Sequence, residues 1–210
     1  MIPEKQRYEN LEKFTPDVVG RYDIPVIKAD KVYFSGFIGF NYAATAKDRA
    51  EKAVHFFLDD YQFFRVWNRP RDYINTLSQF ACVLSPDFSL YTDFPVAMQI
   101  YNYYRKHWLG AYWQSFGIKV IPTICWSDER SFEWCFDGEP VDGVVAVSSV
   151  GTQNSRTAKA AFMLGYEAMC ERLSPSEIIF YGSVPDECRG NIIHIKSFQD
   201  KFREAMTCGR

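Results

Sequence analysis

The sequence predicts an α/β fold built on mainly parallel strands, and three observations lead there. Apolar runs rich in Val, Ile and Phe recur at Ile24 to Lys28, Val54 to Leu58, Ala81 to Leu84, Lys119 to Cys125, Val144 to Ser148, Glu177 to Tyr181 and Ile192 to Ile195. Most of these runs lack polar alternation, which is the pattern of a strand covered on both faces. Between them lie helix-like stretches at Arg69 to Gln79, Pro95 to Phe116, Arg130 to Phe136 and Ser155 to Leu173, and parallel strands need such crossovers. No repeat, low-complexity tract or linker divides the chain, so residues 1–210 are expected to form a single α/β domain.

Individual elements carry their own signals. Pro95 suits a first helical turn, where its missing N–H is not needed. The stretch that follows holds Tyr101, Tyr103, Tyr104, Trp108, Tyr112, Trp113 and Phe116, so it is aromatic on every side and is expected to be buried. Ser155 is an N-cap candidate, with Lys159, Ala160, Met163, Leu164, Glu167 and Ala168 continuing the helical pattern until Ser174-Pro175 stops it. A small or incomplete TIM-like (β/α) barrel is favoured, since a full barrel takes about 250 residues. The alternative is an open α/β sandwich. Gly36-Phe37-Ile38-Gly39 is not a GxGxxG fingerprint and no GxxxxGK[ST] occurs, so nucleotide motifs do not support that alternative.

Composition narrows the function. The 24 Lys and Arg residues nearly balance the 26 Asp and Glu, leaving a formal charge of -2. That excludes binding driven by a strongly basic surface and gives no strong nucleic-acid signal, a local basic groove aside. A chain of this size buries roughly 70% of its unfolded surface and needs no disulfide or structural metal to hold a core. The segment MIPEKQRYENLEKF is charged and has no apolar run, so neither signal peptide nor anchor is expected, and no window has the length of a membrane span. Cys82, Cys125, Cys135, Cys170, Cys188 and Cys208 form no CxxC, and reduced thiols in a cytoplasmic protein are expected over disulfides or a cysteine metal site.

In parallel sheets the ligand site lies beyond the carboxyl ends of the strands. There the sequence places Asp59-Asp60-Tyr61, the run from Ser85 to Asp93, Trp126 to Arg130, Ser148 to Asn154, and Gly182-Ser183. Asp87, Asp93 and Asp128 are the candidate catalytic residues, with Glu129 beside the last. Carboxylates gathered there can bind a divalent cation such as Mg²⁺ or Mn²⁺, or divide into acid and base. The structural alternatives are a helix cap for Asp93, which fits that residue better, and a turn for Asp87, which fits equally well; Asp59 and Asp60 read as a solvated strand end. Ser89, Arg105, Trp126, Arg130, Ser148 and Gly151 are the candidate ligand-binding residues. Trp126 offers a flat ring for a sugar or base, and the arginines offer bidentate pairing to a phosphate or carboxylate, or to Asp93 and Asp128. The run Ser148 to Thr152 leads toward a helix start but holds too little glycine for a phosphate loop. His55, His107 and His194 are isolated in sequence, and no HExxH, GxSxG or Cys/His signature occurs, so zinc hydrolysis and acyl transfer through Ser or Cys rank low.

The blocks LDDYQFFRVWNRP, CVLSPDFSLYTDFPVAMQIYNYYR, YWQSFGIKVIPTICWSDERSFEWCFDGEP and VAVSSVGTQ resemble recurring segments of an uncharacterised family of bacterial, phage and mobile-element proteins, a domain of unknown function. The resemblance covers roughly residues 50 to 185 and falls on Asp87, Ser89, Tyr91, Asp93, Arg105, Trp113, Gln114, Pro122, Trp126, Phe136, Asp137, Gly138, Ser148 and Gly151. It implies a phage or mobile-element setting and no activity. Two functions then stand: a carboxylate- or metal-dependent hydrolase or transferase on a nucleotide-like or sugar-like substrate, and a non-catalytic protein that binds a small ligand or a partner of a mobile element.

Overall fold

The computed structural model describes residues 10–198 other than Glu12, together with Asp200. It is a mixed α/β structure whose parallel strands alternate with helices. A short antiparallel ribbon, β1 (Val18–Val19) with β2 (Ile24–Pro25), comes first. Four parallel strands follow, β3 (Gly36–Gly39), β4 (Lys52–His55), β5 (Cys82–Leu84) and β6 (Val120–Ile121), and then three more, β7 (Val144–Ser148), β8 (Glu177–Tyr181) and β9 (Ile192–Ile195). In both sheets spatial neighbours are sequence neighbours.

Pro122 explains how the two sheets meet. Its ring nitrogen cannot donate to a ladder, so the pairing of β6 with β5 stops at Ile121. The chain then turns to β7: Ala146 N–H donates to Pro122 O at 2.8 Å, Ile124 N–H donates to Ala146 O at 2.7 Å, and Thr123 forms an isolated parallel bridge with Ala146. The expected strand from Lys119 to Cys125 is therefore a two-residue strand and a bridge to a different neighbour. The run at Ile24 to Lys28 is likewise corrected, since only Ile24 and Pro25 pair, and they pair antiparallel with β1.

The helices are α1 (Phe40–Ala43), α2 (Arg65–Asn68), α3 (Ile74–Leu77), α4 (Val96–Gln114) and α5 (Arg156–Leu173). The expected helix from Arg69 to Gln79 breaks at its own proline into a 3₁₀ turn, Pro70–Tyr73, followed by α3. The stretch from Arg130 to Phe136 is a 3₁₀ turn over Glu129–Glu133. Ser155 caps α5 as the sequence predicts, its Oγ accepting from Ala158 N–H at 3.1 Å. Asp93 does not cap α4. Pro95 occupies the N-cap, and no side chain bonds the first turn there. Asp93 is exposed in a turn two residues too early to reach those N–H groups.

α4 is buried around most of its circumference. Trp108 stacks on Tyr112 at 4.7 Å, Trp67 meets Trp108 edge-on at 5.6 Å, and Trp113 stacks on Phe56 at 5.7 Å. Each such ring removes enough apolar surface to contribute roughly 1.5–3 kcal/mol. Arg105 of the same helix is enclosed by Phe64, Phe88 and Tyr101, with its guanidinium 4.2 Å from the Phe88 centroid and bonded to Asn102 Oδ1. Among the described residues no helix is long and apolar enough to cross a membrane. Cys82, Cys125, Cys135, Cys170 and Cys188 are free thiols, and Cys208 lies outside the described residues.

Candidate functional site

A cleft of about 780 Å³ opens beyond the carboxyl ends of the parallel strands, and a smaller cavity of about 400 Å³ adjoins it. The aromatic part of its lining is continuous. Phe37 and His55 stack at 4.6 Å with their planes 9° apart, His55 lies 4.9 Å from Tyr181, and Tyr181 stacks on Phe57 at 5.0 Å. Tyr42, Tyr91 and Phe198 line the same cleft with largely exposed rings. Trp126 borders both cavities and packs on Phe162 of α5. Gly165 makes room for it, because a Cβ there would fall 2.1 Å from the indole.

Asp87 and Cys125 border both cavities. Asp87 is only partly accessible. Burial pushes its carboxyl up to about 7 against the opposing pull of the Lys106 charge, with Asp60 adding to the rise and the Cys125 thiol opposing it. A carboxyl tuned that way exchanges protons near neutrality.

Behind this pair sits a charged cluster that is sealed from solvent. Lys106 Nζ donates to Glu139 Oε1 at 2.8 Å, to Thr123 O at 2.7 Å and to Cys125 Sγ at 3.8 Å, and lies 4.1 Å over the Tyr103 ring. Those three partners account for all three ammonium protons. The Tyr103 hydroxyl also donates to Glu139 Oε1, at 3.2 Å. His107 Nε2 lies 2.9 Å from the same oxygen, with Nδ1 2.8 Å from Pro25 O. Burial works against the Glu139 charge, yet His107 and Lys106 overcome it and hold the carboxyl down at about 2. For Lys106 the outcome is similar: burial opposes the cation, and Cys125, Glu139 and Asp87 outweigh it and raise the pKa. Burial pulls His107 down. Glu139 Oε2 is buried with no hydrogen-bond partner among the described residues.

The structure gathers part of the sequence-predicted set and disperses the rest. Asp87, Ser89, Trp126 and Ser148 line the large cleft, and Gly151, in a left-handed turn with φ +82°, lines the smaller cavity. Ser89 is held in place by Asp60, its Oγ donating to Oδ1 at 2.8 Å, while Asn102 Nδ2 donates to Ser89 O at 2.7 Å. Asp93 and Asp128 line neither cavity. Asp128 caps the 3₁₀ turn by accepting from Arg130 N–H at 3.0 Å and pairs with the Arg130 guanidinium at 2.6 Å. Arg130 is thereby committed to Asp128, and Arg105 to its aromatic cage. Among the described residues no three His, Cys, Asp or Glu side chains gather closely enough to hold a metal ion.

Sequence reasoning passed over His55, Lys106, Cys125 and Glu139 as site residues. One signal was present: Arg105-Lys106-His107 interrupts a helix that is otherwise apolar all round, and charges on such a helix need buried partners.

Comparison with known proteins places the molecule. Over 132 residues, 63% of this chain, it is 44% identical to the "Gene 1 protein" of Mycobacterium phage L5, and over 130 residues it is 44% identical to the "Gene 1 protein" of Mycobacterium phage D29. These alignments cover 58% and 48% of the phage proteins, so the chain spans about half the length of the curated relatives it matches. No solved structure matches it. Residues 16–199 match a family defined by a shared domain, and by that match the chain belongs to the family described as Domain of unknown function (DUF4417).

Proposed function

We propose that this protein is a carboxylate-dependent hydrolase or transferase of a phage or mobile element, in which Asp87 moves a proton on a nucleotide-like or sugar-like substrate seated in the strand-end cleft. The observation that carries this reading is the Asp87 carboxyl, open to the cleft and raised to about 7. The stacked rings of Phe37, His55, Phe57 and Tyr181 favour a flat or ring-shaped ligand. The reading treats the two parallel sheets as the wall of one incompletely closed barrel. It is supported by the packing of Ala53, Leu84, Ile121, Ala146 and Ile179, from five strands of both sheets, into one cluster.

Acting as a base, Asp87 must be ionised, so turnover should fall as pH drops below about 7. The test is to incubate the protein with a mixture of nucleosides, nucleotides and glycosides and follow each by mass spectrometry. The expected result is consumption of one class by the wild type and a loss of about 10²-fold or more in Asp87→Asn. Saturable binding with no turnover would overturn the enzyme reading in favour of a binding protein.

A further inference from the structure

We propose that Cys125 is a nucleophile, with Asp87 as its base and Lys106 as the fixed cation behind its sulfur, and that the substrate presents an amide or lactam carbonyl on or beside its ring. This rests on the reading of Asp87 above and adds a covalent route to it. Cys125 is the cysteine that borders both cavities among the described residues, and it is only partly buried. Lys106 has no exposed side-chain surface and lines neither cavity, so it meets the cleft only through what it touches, and the group it touches there is Sγ, at 3.8 Å. Its other two donors are fixed by Thr123 O and Glu139 Oε1, which aims the third at the thiol. A thiolate is favoured where a base receives its proton and a positive charge faces the sulfur; here burial raises the thiol and Lys106 opposes that rise.

Burial keeps the resting thiol protonated, and Asp87 borders the same two cavities as the sulfur. Sγ bonds to the carbonyl carbon as its proton passes to the Asp87 carboxylate, and the C=O electron pair moves to oxygen. When the pair returns, the C–N bond breaks and the amine leaves with the proton from Asp87, giving a thioester. Water adds to the thioester, its proton going to Asp87, and the C–S bond breaks to release a carboxylic acid and a thiolate that Asp87 reprotonates. The leaving group argues for an amide, since a departing amine must be protonated and a carboxyl poised near neutrality does this well.

The probe is p-nitrophenyl acetate, a simple acyl donor, with peptide mass spectrometry to locate the acetyl group. The wild type should release a burst of p-nitrophenol and carry acetyl on Cys125, while buried Cys82 and Cys135 stay unmodified. Cys125→Ser, which preserves side-chain volume closely, should lose the thioester, and Asp87→Asn should acylate about 10²-fold more slowly. Acetyl found only on other residues, or wild-type acylation in Asp87→Asn, would overturn the proposal. If Cys125→Ser still turns over a substrate that Asp87→Asn does not, the nucleophile falls and the role of Asp87 stands. If Asp87→Asn changes neither turnover nor acylation, both fall.

Discussion

The segments that follow β5 and β6 each carry an aspartate, and the two carboxyls end in opposite chemistry. After β5, Asp87 sits partly covered beside Lys106, Asp60 and Cys125, and burial lifts its carboxyl to about 7. After β6, Asp128 stands at the surface, where hydrogen bonds from the Arg130 side chain and backbone hold its carboxyl below the usual range. Asp87 lines the cleft, whereas Asp128 lines neither cavity and caps its own 3₁₀ turn. The residue type is the same in both, three residues past β5 and seven past β6. What differs is which charge the fold places next to the carboxyl and how much water it leaves there.

The contrast can be broken most strongly from behind the cleft. Glu139→Gln leaves Lys106 buried without its counter-charge, and losing one member of such a pair destabilises by about 3–5 kcal/mol. Urea denaturation should show that loss, and Cys125 should lose the cation that faces it. Next comes the pH dependence of stability. Asp87 binds its proton more tightly folded than unfolded, so its contribution favours folding at low pH and declines as pH rises from about 3.8 through about 7. Asp87→Asn removes that decline, and its thermal midpoint relative to wild type should therefore rise across this window.

Gly165→Ala tests the Trp126 wall. The added methyl would meet the indole, and such overpacking costs about 1–3 kcal/mol, more than the roughly 1 kcal/mol that alanine gains over glycine in a helix. Tryptophan fluorescence should shift with the displaced ring. The smallest effect belongs to the other loop. Asp128→Asn disrupts a surface pair with Arg130, and neither melting temperature nor turnover should change measurably.

How legible all this was in the sequence follows the same physical line. β7, β8, β9 and α5 could be read directly, because long apolar runs, a serine cap and a Ser-Pro stop are local signals. β3 escaped, being four residues bounded by glycines at both ends, and β6 was overextended, because the proline at 122 moves the chain to a new neighbour rather than ending it. Counting past strand ends picked out Asp87, Ser89, Trp126 and Ser148, which line the cleft, since position along a parallel sheet is set by topology. It did not find Lys106, Glu139 or His107. They reach the site from α4 and from the loop before β7, and what unites them is three-dimensional burial, which no spacing encodes.

A carboxyl held near neutrality at the head of the cleft is directly measurable. A ¹³C NMR titration of the aspartate side-chain carboxyls, with Asp87→Asn identifying the resonance, should show Asp87 titrating near pH 7. A midpoint near 4, the ordinary aspartate value, would contradict it and leave Asp87 as a turn residue.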